Sequence, residues 1–203
     1  GVYTYSQTDL NAAAQAKFHL AEANYEEIIS AEVPMLKASS PKEINKSLMG
    51  IKKWMGKQTK LMTKVKKLYE EVGRITLDRR KKPNEWYVPA AGRFGAIYKN
   101  FYTKVANIKF GKAIEKNITV KLQFRDTFAN ATEKFMDFAK KGFAACVKAA
   151  EKTGRYDEWF EFCENELAVI KRSVSPLSDE VWAKPSYKKP ELSGATVMTT
   201  PVR

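Results

Sequence analysis

The chain has 203 residues, of which 44% are hydrophobic and 29% charged, enough for one ordinary domain or two small ones with a real core. This composition excludes wholesale disorder and the collagen-like and disulfide-scaffold classes. The 36 Lys and Arg residues against 23 Asp and Glu residues give a net charge of +13. Because no stretch of about 18 apolar residues is uninterrupted, the sequence predicts no transmembrane helix.

Apolar residues recur with helical spacing in five stretches of the chain, which predicts an all-α fold. We expect about five amphipathic helices in a bundle or a helical-hairpin stack. The helical domain is predicted over residues 1–175, with a basic loop at 78–92. Over residues 176–203 the helical pattern dissolves and prolines recur, which predicts an extended Pro-rich C-terminal arm without its own core.

The first two stretches have recognisable start signals. The first covers residues 10–28 and has Thr8 as its predicted N-cap. The second is the longest and covers residues 41–75, with Pro41 in the first turn. Its apolar residues alternate in steps of three and four, and the polar Gln58 occupies one heptad core position. The apolar stripe is as wide as that of a helix packed in a bundle.

The remaining stretches follow the predicted basic loop. The third covers residues 94–108, the fourth 124–147 and the fifth 156–174. Residues 118–124 alternate like a strand, but they have no obvious partner strand, so we interpret them as helical or irregular. Gly154 is typical of a helix stop, because glycine adopts the left-handed cap conformation without strain.

Large aromatic residues on these stripes are the predicted core. Trp54, Phe135 and Phe138 should be buried, and truncating any of them to alanine should cost roughly 3–5 kcal/mol.

Two cysteines are present, Cys146 and Cys163, eight residues before and nine residues after Gly154. A tight hairpin at this glycine would bring them to the same level on facing helices, where they could approach disulfide distance. We favour the interpretation that both are buried, unbonded and act as small apolar residues. Such a chain does not depend on disulfides, which fits a reducing compartment.

Positive charge is concentrated in the middle of the chain. Residues 37–93 carry a net charge of +11, whereas residues 1–36 carry −4. Six lysines lie off the apolar stripe of the second helix: Lys52, Lys53, Lys57, Lys60, Lys64 and Lys67. The adjoining loop adds a second basic cluster beside an aromatic residue: Arg79, Arg80, Lys81, Lys82 and Trp86. These two groups are the candidate contacts to phosphates, anionic lipid headgroups or acidic protein surfaces.

Catalytic chemistry has little support in the sequence. The single histidine, His19, follows Phe18 on the first helix and is expected at the surface or rim. With one histidine and two cysteines, a zinc site, a His-based proton relay or a Cys–His nucleophile is hard to build. We therefore predict no catalytic residues, no metal site and no cofactor, and we expect the protein not to be an enzyme.

The leading hypothesis is a non-catalytic structural or accessory subunit of a large multi-protein assembly, with other protein subunits as its partners. Trp182 and Tyr187 make the C-terminal arm too aromatic for a free tail, and we expect it to bind a partner surface. A basic chain that begins at Gly1 suits a mitochondrial or other organellar protein after removal of a targeting peptide. This favours a peripheral subunit of a mitochondrial membrane complex.

Two alternatives stay open. One is a nucleic-acid-binding protein, for instance an RNA-associated one, that uses the basic segment 37–93. The dominance of lysine over arginine on the long helix and the absence of a recognised RNA-binding motif weigh against it. The other is a helical module that binds anionic membrane surfaces through the lysine-rich helix.

Overall fold

A computed structural model describes residues 6–37, 40–75 and 84–174. Within these ranges the protein is all-α, which confirms the predicted fold class. The helices are α1 (Gln7–Ser30), α2 (Pro41–Arg74), α3 (Tyr87–Ala106), α4 (Lys112–Glu115), α5 (Ile118–Thr153) and α6 (Glu158–Val174). Among the described residues, no helix combines the length and the apolar character needed to cross a bilayer. The predicted arm over 176–203 lies outside the described residues.

The start of α1 differs from the sequence prediction. Ser6 is the N-cap: its side chain accepts a hydrogen bond from the backbone N–H of Asp9, and the Asp9 carboxylate accepts one from the Ser6 backbone N–H at 2.9 Å. Thr8 was the wrong choice because it already lies in the first turn. The reciprocal pair satisfies two of the backbone donors that a helix start leaves open.

Other helix ends confirm their local signals. Ser40 caps α2 and Pro41 takes the first helical position, where its missing N–H costs nothing. Gly154 ends α5 in the left-handed conformation, with φ +69°. Asn117 caps α5, so the strand-like segment 118–124 forms the first two turns of this helix.

The start of α3 shows that the predicted basic loop over 78–92 is too long. The helix begins at Tyr87, and Pro89 lies within its first turn, where a backbone N–H has no helical partner anyway. Asn84 is buried and organises this start. Its Nδ2 donates to two carbonyl oxygens at the end of α2, at 2.7 and 3.0 Å, and its Oδ1 accepts from the Trp86 N–H at 2.9 Å.

Helix α3 lies at the centre and contacts α1, α2, α5 and α6. Arg93, near its start, reaches Glu22 of α1 and Trp159 of α6. One and a half turns later, Lys99 pairs with Glu166 of α6. Because the residue numbers rise together on α3 and α6, these two helices run parallel.

Helix α5 runs antiparallel to α3 and approaches it closely. A Cβ added to Gly142 would lie 2.6 Å from the Gly95 backbone nitrogen, and one added to Gly95 would lie 2.7 Å from the Phe143 ring. Two facing glycines thus let the helix backbones almost touch, and Phe143 is completely buried beside them. Side chains larger than hydrogen at this crossing would push the helices apart.

The aromatic core lies between α2, α3 and α5. Phe101 stacks on Trp54, with ring centroids 5.7 Å apart, and meets Phe135 edge to face at 4.7 Å. Phe135 is buried, as predicted, whereas Trp54 is half-buried. Phe138 is 37% exposed, so its prediction as a core residue is wrong. It lies at the edge of the apolar stripe of α5, where its ring packs against that of Tyr98 on the solvent side.

Cys146 and Cys163 form a disulfide between α5 and α6, and the interpretation of them as unbonded apolar residues is wrong. Both are fully buried. Their sulfurs face Gly92 of α3: a Cβ added there would lie 3.0 Å from Cys163 Sγ and 3.5 Å from Cys146 Sγ. The hairpin at Gly154 brings the two helices together as the spacing allowed, and the bond then fastens α6 to the central pair.

We expect loss of this disulfide to lower the free energy of unfolding substantially. The bond closes a loop with a sequence separation of 17 residues, and a loop of this length is worth about 3 kcal/mol of restricted unfolded-chain entropy. Urea titration of the oxidised protein, the protein in reductant and the C146A/C163A variant measures the effect. The last two should agree, and a wild-type midpoint unaffected by reductant would contradict the prediction.

Candidate functional site

The six lysines singled out from the sequence on α2 are all exposed in the structure. Five of them recur in steps of four and three, which places them along one side of the helix. We call these five the lysine row: Lys53, Lys57, Lys60, Lys64 and Lys67. At the helical rise per residue the row is about 21 Å long. Lys52 lies beside its first member.

The opposite side of α2 explains why the lysine row faces outward. Six of its residues are buried against the rest of the protein: Ile51, Gln58, Met62, Val65, Tyr69 and Val72. They form the continuous inner stripe predicted from the heptad pattern, including the polar Gln58. Since this stripe fixes the rotation of the helix, the lysine side chains can only extend into solvent.

The lysine row forms few ion pairs with the described part of the chain. Lys57 lies 3.6 Å from Glu27 of α1, and both side chains are mostly exposed, so this pair contributes little to stability. The other row members form no ion pair with described residues. Five ammonium groups on one side of one helix therefore create a positive surface that is available to an anionic partner.

The other candidate site residues from the sequence do not extend this surface. Trp86 is half-buried, and its ring lies 5.2 Å from the Phe18 ring and 5.4 Å from the His19 ring, so it packs on α1. His19 is exposed. The remaining candidates lie outside the described residues: Arg79, Arg80, Lys81, Lys82, Trp182 and Tyr187.

A partly buried ion pair that the sequence analysis missed joins four helices. Arg93 Nε donates to the Glu22 carboxylate at 2.9 Å, and Tyr69 Oη donates to the same carboxylate at 2.5 Å. The guanidinium also lies over the rings of Tyr25 and Trp159, at 4.4 and 4.9 Å from their centroids. Burial, and then the hydrogen bond to Glu22, raise the pKa of Tyr69. The charges are satisfied internally, so this cluster positions helices.

Lys104 of α3 is likewise used inside the fold. Its Nζ donates to three carbonyl oxygens at the end of α1, those of Ile28, Ile29 and Ala31, at 2.6 to 3.3 Å. These are carbonyls that a helix end leaves without backbone partners. Burial lowers the pKa of Lys104. Positive charge at this position holds α1 against α3 and does not contribute to the lysine row.

A cleft of about 250 Å³ lies over α3 between α1 and α6. It contains the Lys99–Glu166 ion pair and Asn100, whose buried Oδ1 has no hydrogen-bond donor among the described residues. The described residues that line it include no His or Cys, so it offers no nucleophile–base pair of the usual kind. Among the described residues there is also no group of three or more His, Cys, Asp or Glu that could hold a metal ion.

Comparison with known proteins finds no matching family model, no matching curated protein and no matching solved structure.

Proposed function

We propose that the protein is a non-catalytic accessory subunit of a larger multi-protein assembly, and that the lysine row binds an acidic surface of a neighbouring subunit. The observation that carries this proposal is the outward alignment of five lysines on α2, of which only Lys57 forms an ion pair with a described residue. A row of fixed positive charges recognises a complementary row of carboxylates and steers its approach.

The chemistry of the row favours a protein partner over nucleic acid. Lysine provides a point charge on a flexible stem, whereas arginine provides the planar fork that suits phosphates and base edges. Single-stranded nucleic acid also needs aromatic stacking platforms, and the ring of Trp86 packs against α1. Nucleic-acid binding through the basic segment 37–93 is therefore the alternative, and nuclease treatment distinguishes it from binding to a protein partner.

The disulfide bears on the compartment that we propose. A bond between Cys146 and Cys163 forms and persists where thioredoxin and glutathione do not keep thiols reduced. We propose a peripheral subunit of a mitochondrial membrane complex, on the side of the membrane that permits disulfides.

Reversing the charge of the lysine row tests the proposed function. The variant K57E/K60E/K64E should leave the fold intact, because the three side chains are exposed, but should release the protein from its assembly. The matched control is K140E/K148E/K152E, which changes the same charge at three exposed positions of α5. Tagged variants expressed in the source cells are compared by native mass in gentle detergent extracts, with and without nuclease.

The proposal expects the wild type and the α5 control in one large particle that nuclease does not affect, and the row variant as a small free species. Collapse of the wild-type particle by nuclease would contradict the accessory-subunit proposal and support nucleic-acid binding instead. Release of both variants alike would show that net charge, rather than the lysine row, holds the protein. A wild type that is small in every extract would refute the accessory-subunit proposal.

A further inference from the structure

One end of the bundle extends beyond the central helix. Phe101 contacts Phe135 across the antiparallel α3–α5 pair, and α3 ends at Ala106. Residues 118–129 of α5 therefore project about 18 Å past the end of α3. They are held there by α4 and by Phe110, whose ring lies 6.4 Å from that of Phe124.

Two other segments meet the same end. The backbone N–H of Leu36 donates to the Lys109 carbonyl at 3.0 Å, and the Lys37 N–H donates to Ser47 Oγ of α2 at 3.3 Å. We call residues 35–37, 42–49 and 109–125 together the basic end. The register of hydrogen bonds thus brings the first turns of α2 and α5 to one end of the molecule.

Large apolar side chains are exposed at the basic end. Ile118 and Leu122 are one turn apart on α5, so they share a face, and they are 63% and 50% exposed. Met49 of α2 is 72% exposed and Met35 44%. Single exposed apolar residues are ordinary, but neighbouring ones on a projecting helix end indicate an interaction surface.

The same segments carry an excess of positive charge. The basic end contains eight Lys and Arg residues against two Glu, with Glu32 and Asp126 at its margins. One of the two, Glu115, is already paired with Lys121 at 2.5 Å. Seven of the basic residues are exposed: Lys37, Lys42, Lys46, Lys109, Lys112, Lys116 and Arg125.

We infer that the basic end docks on the surface of an anionic lipid bilayer, with Ile118 and Leu122 inserted among the headgroups. Exposed aliphatic side chains and exposed lysines at the same end of the molecule suit the surface of such a bilayer, since the apolar groups leave water and the cations meet lipid phosphates. An acidic protein groove would supply the charge but not a deformable apolar layer for side chains that project from a helix end. This inference uses residues outside the lysine row and does not depend on the proposed function.

Vesicle binding tests the inference. The full chain is sedimented with vesicles of phosphatidylcholine alone and of phosphatidylcholine mixed with phosphatidylglycerol. We expect binding to the anionic vesicles only. The variant I118S/L122S should bind at least tenfold more weakly, because the transfer of two aliphatic side chains out of water is lost. The variant K112Q/K116Q should lose roughly fivefold per lysine.

Two controls separate this end from the rest of the surface. The variant L20S/V169S removes exposed aliphatic side chains elsewhere, since Leu20 is 65% and Val169 51% exposed, and should bind like the wild type. K57Q/K60Q/K64Q removes charge from the lysine row and should weaken binding less than I118S/L122S does.

Equal partition to neutral and anionic vesicles, or none to either, would overturn the inference. So would a loss of binding in the lysine-row variant with I118S/L122S unaffected, because the row would then be the membrane surface. Far-UV circular dichroism should show that every variant melts like the wild type, since the replaced side chains are exposed.

Discussion

Replacing Gly142 by alanine is expected to lower the free energy of unfolding by about 3 kcal/mol, although alanine is the better helix former. The new Cβ would lie 2.6 Å from the Gly95 nitrogen and 2.7 Å from its Cα. Both contacts are to backbone, so no side-chain rotation can relieve them, and α3 and α5 must separate. Urea unfolding followed by circular dichroism measures the change.

The matched control for this prediction is Gly56→Ala. Gly56 also lies inside a long helix, α2, but a Cβ there would meet no atom within 4 Å. Alanine at this position should therefore stabilise the protein by about 0.5–1 kcal/mol. If both variants were stabilised, the close approach of α3 and α5 at Gly95 and Gly142 would be wrong.

These two glycines show where sequence reasoning reached its limit. The helical period predicts which residues of a helix face inward, and Gly142 belongs to the inward stripe of α5. The period carries no information about which helix crosses there, or at what distance. The contact with Gly95 depends on a pairing between residues 47 positions apart, which only the folded chain supplies.

Local chemistry explains most of the correct predictions. Pro41 and Gly154 act on neighbouring backbone groups, so their roles could be assigned without knowledge of the fold. Ser6 and Thr8 are both residue types that cap helices, and Thr8 was the wrong choice of N-cap. Ser6 is the N-cap because Asp9, three residues on, completes a capping box with it. The basic loop over 78–92 was predicted too long because Pro89 is compatible with a helix in its first turn, which is where it lies in α3.

The features of the candidate sites also differ in whether the local sequence pattern could predict them. The lysine row could be predicted because the apolar stripe of α2 leaves one side for charged residues. The Glu22–Arg93 pair could not, since it depends on helices distant in sequence. The disulfide joins two consecutive helices, so the spacing predicted the proximity of the two cysteines but not the bond between them. The basic end was missed because Ile118 and Leu122 fit a core pattern, and their exposure follows only from the projection of α5 past α3.

Phe135→Ala is expected to lower the free energy of unfolding by about 3–5 kcal/mol. Phe135 is 7% exposed and packs edge to face on Phe101 and close to Tyr98. Removing its ring leaves a cavity between α3 and α5 that the close glycine crossing prevents from collapsing. Thermal and urea unfolding of the variant measure the loss.

Phe138→Ala is the control that distinguishes burial from aromatic character. Phe138 lies one turn away on the same helix and also contacts Tyr98, with ring centroids 5.2 Å apart, but it is 37% exposed. Its truncation removes less apolar surface from the interior and leaves a site that water can fill. It should therefore cost about 1–1.5 kcal/mol. Equal losses in the two variants would mean that α5 is rotated about its axis, which would turn Phe138 into the core and Thr132 and Ala139 towards solvent.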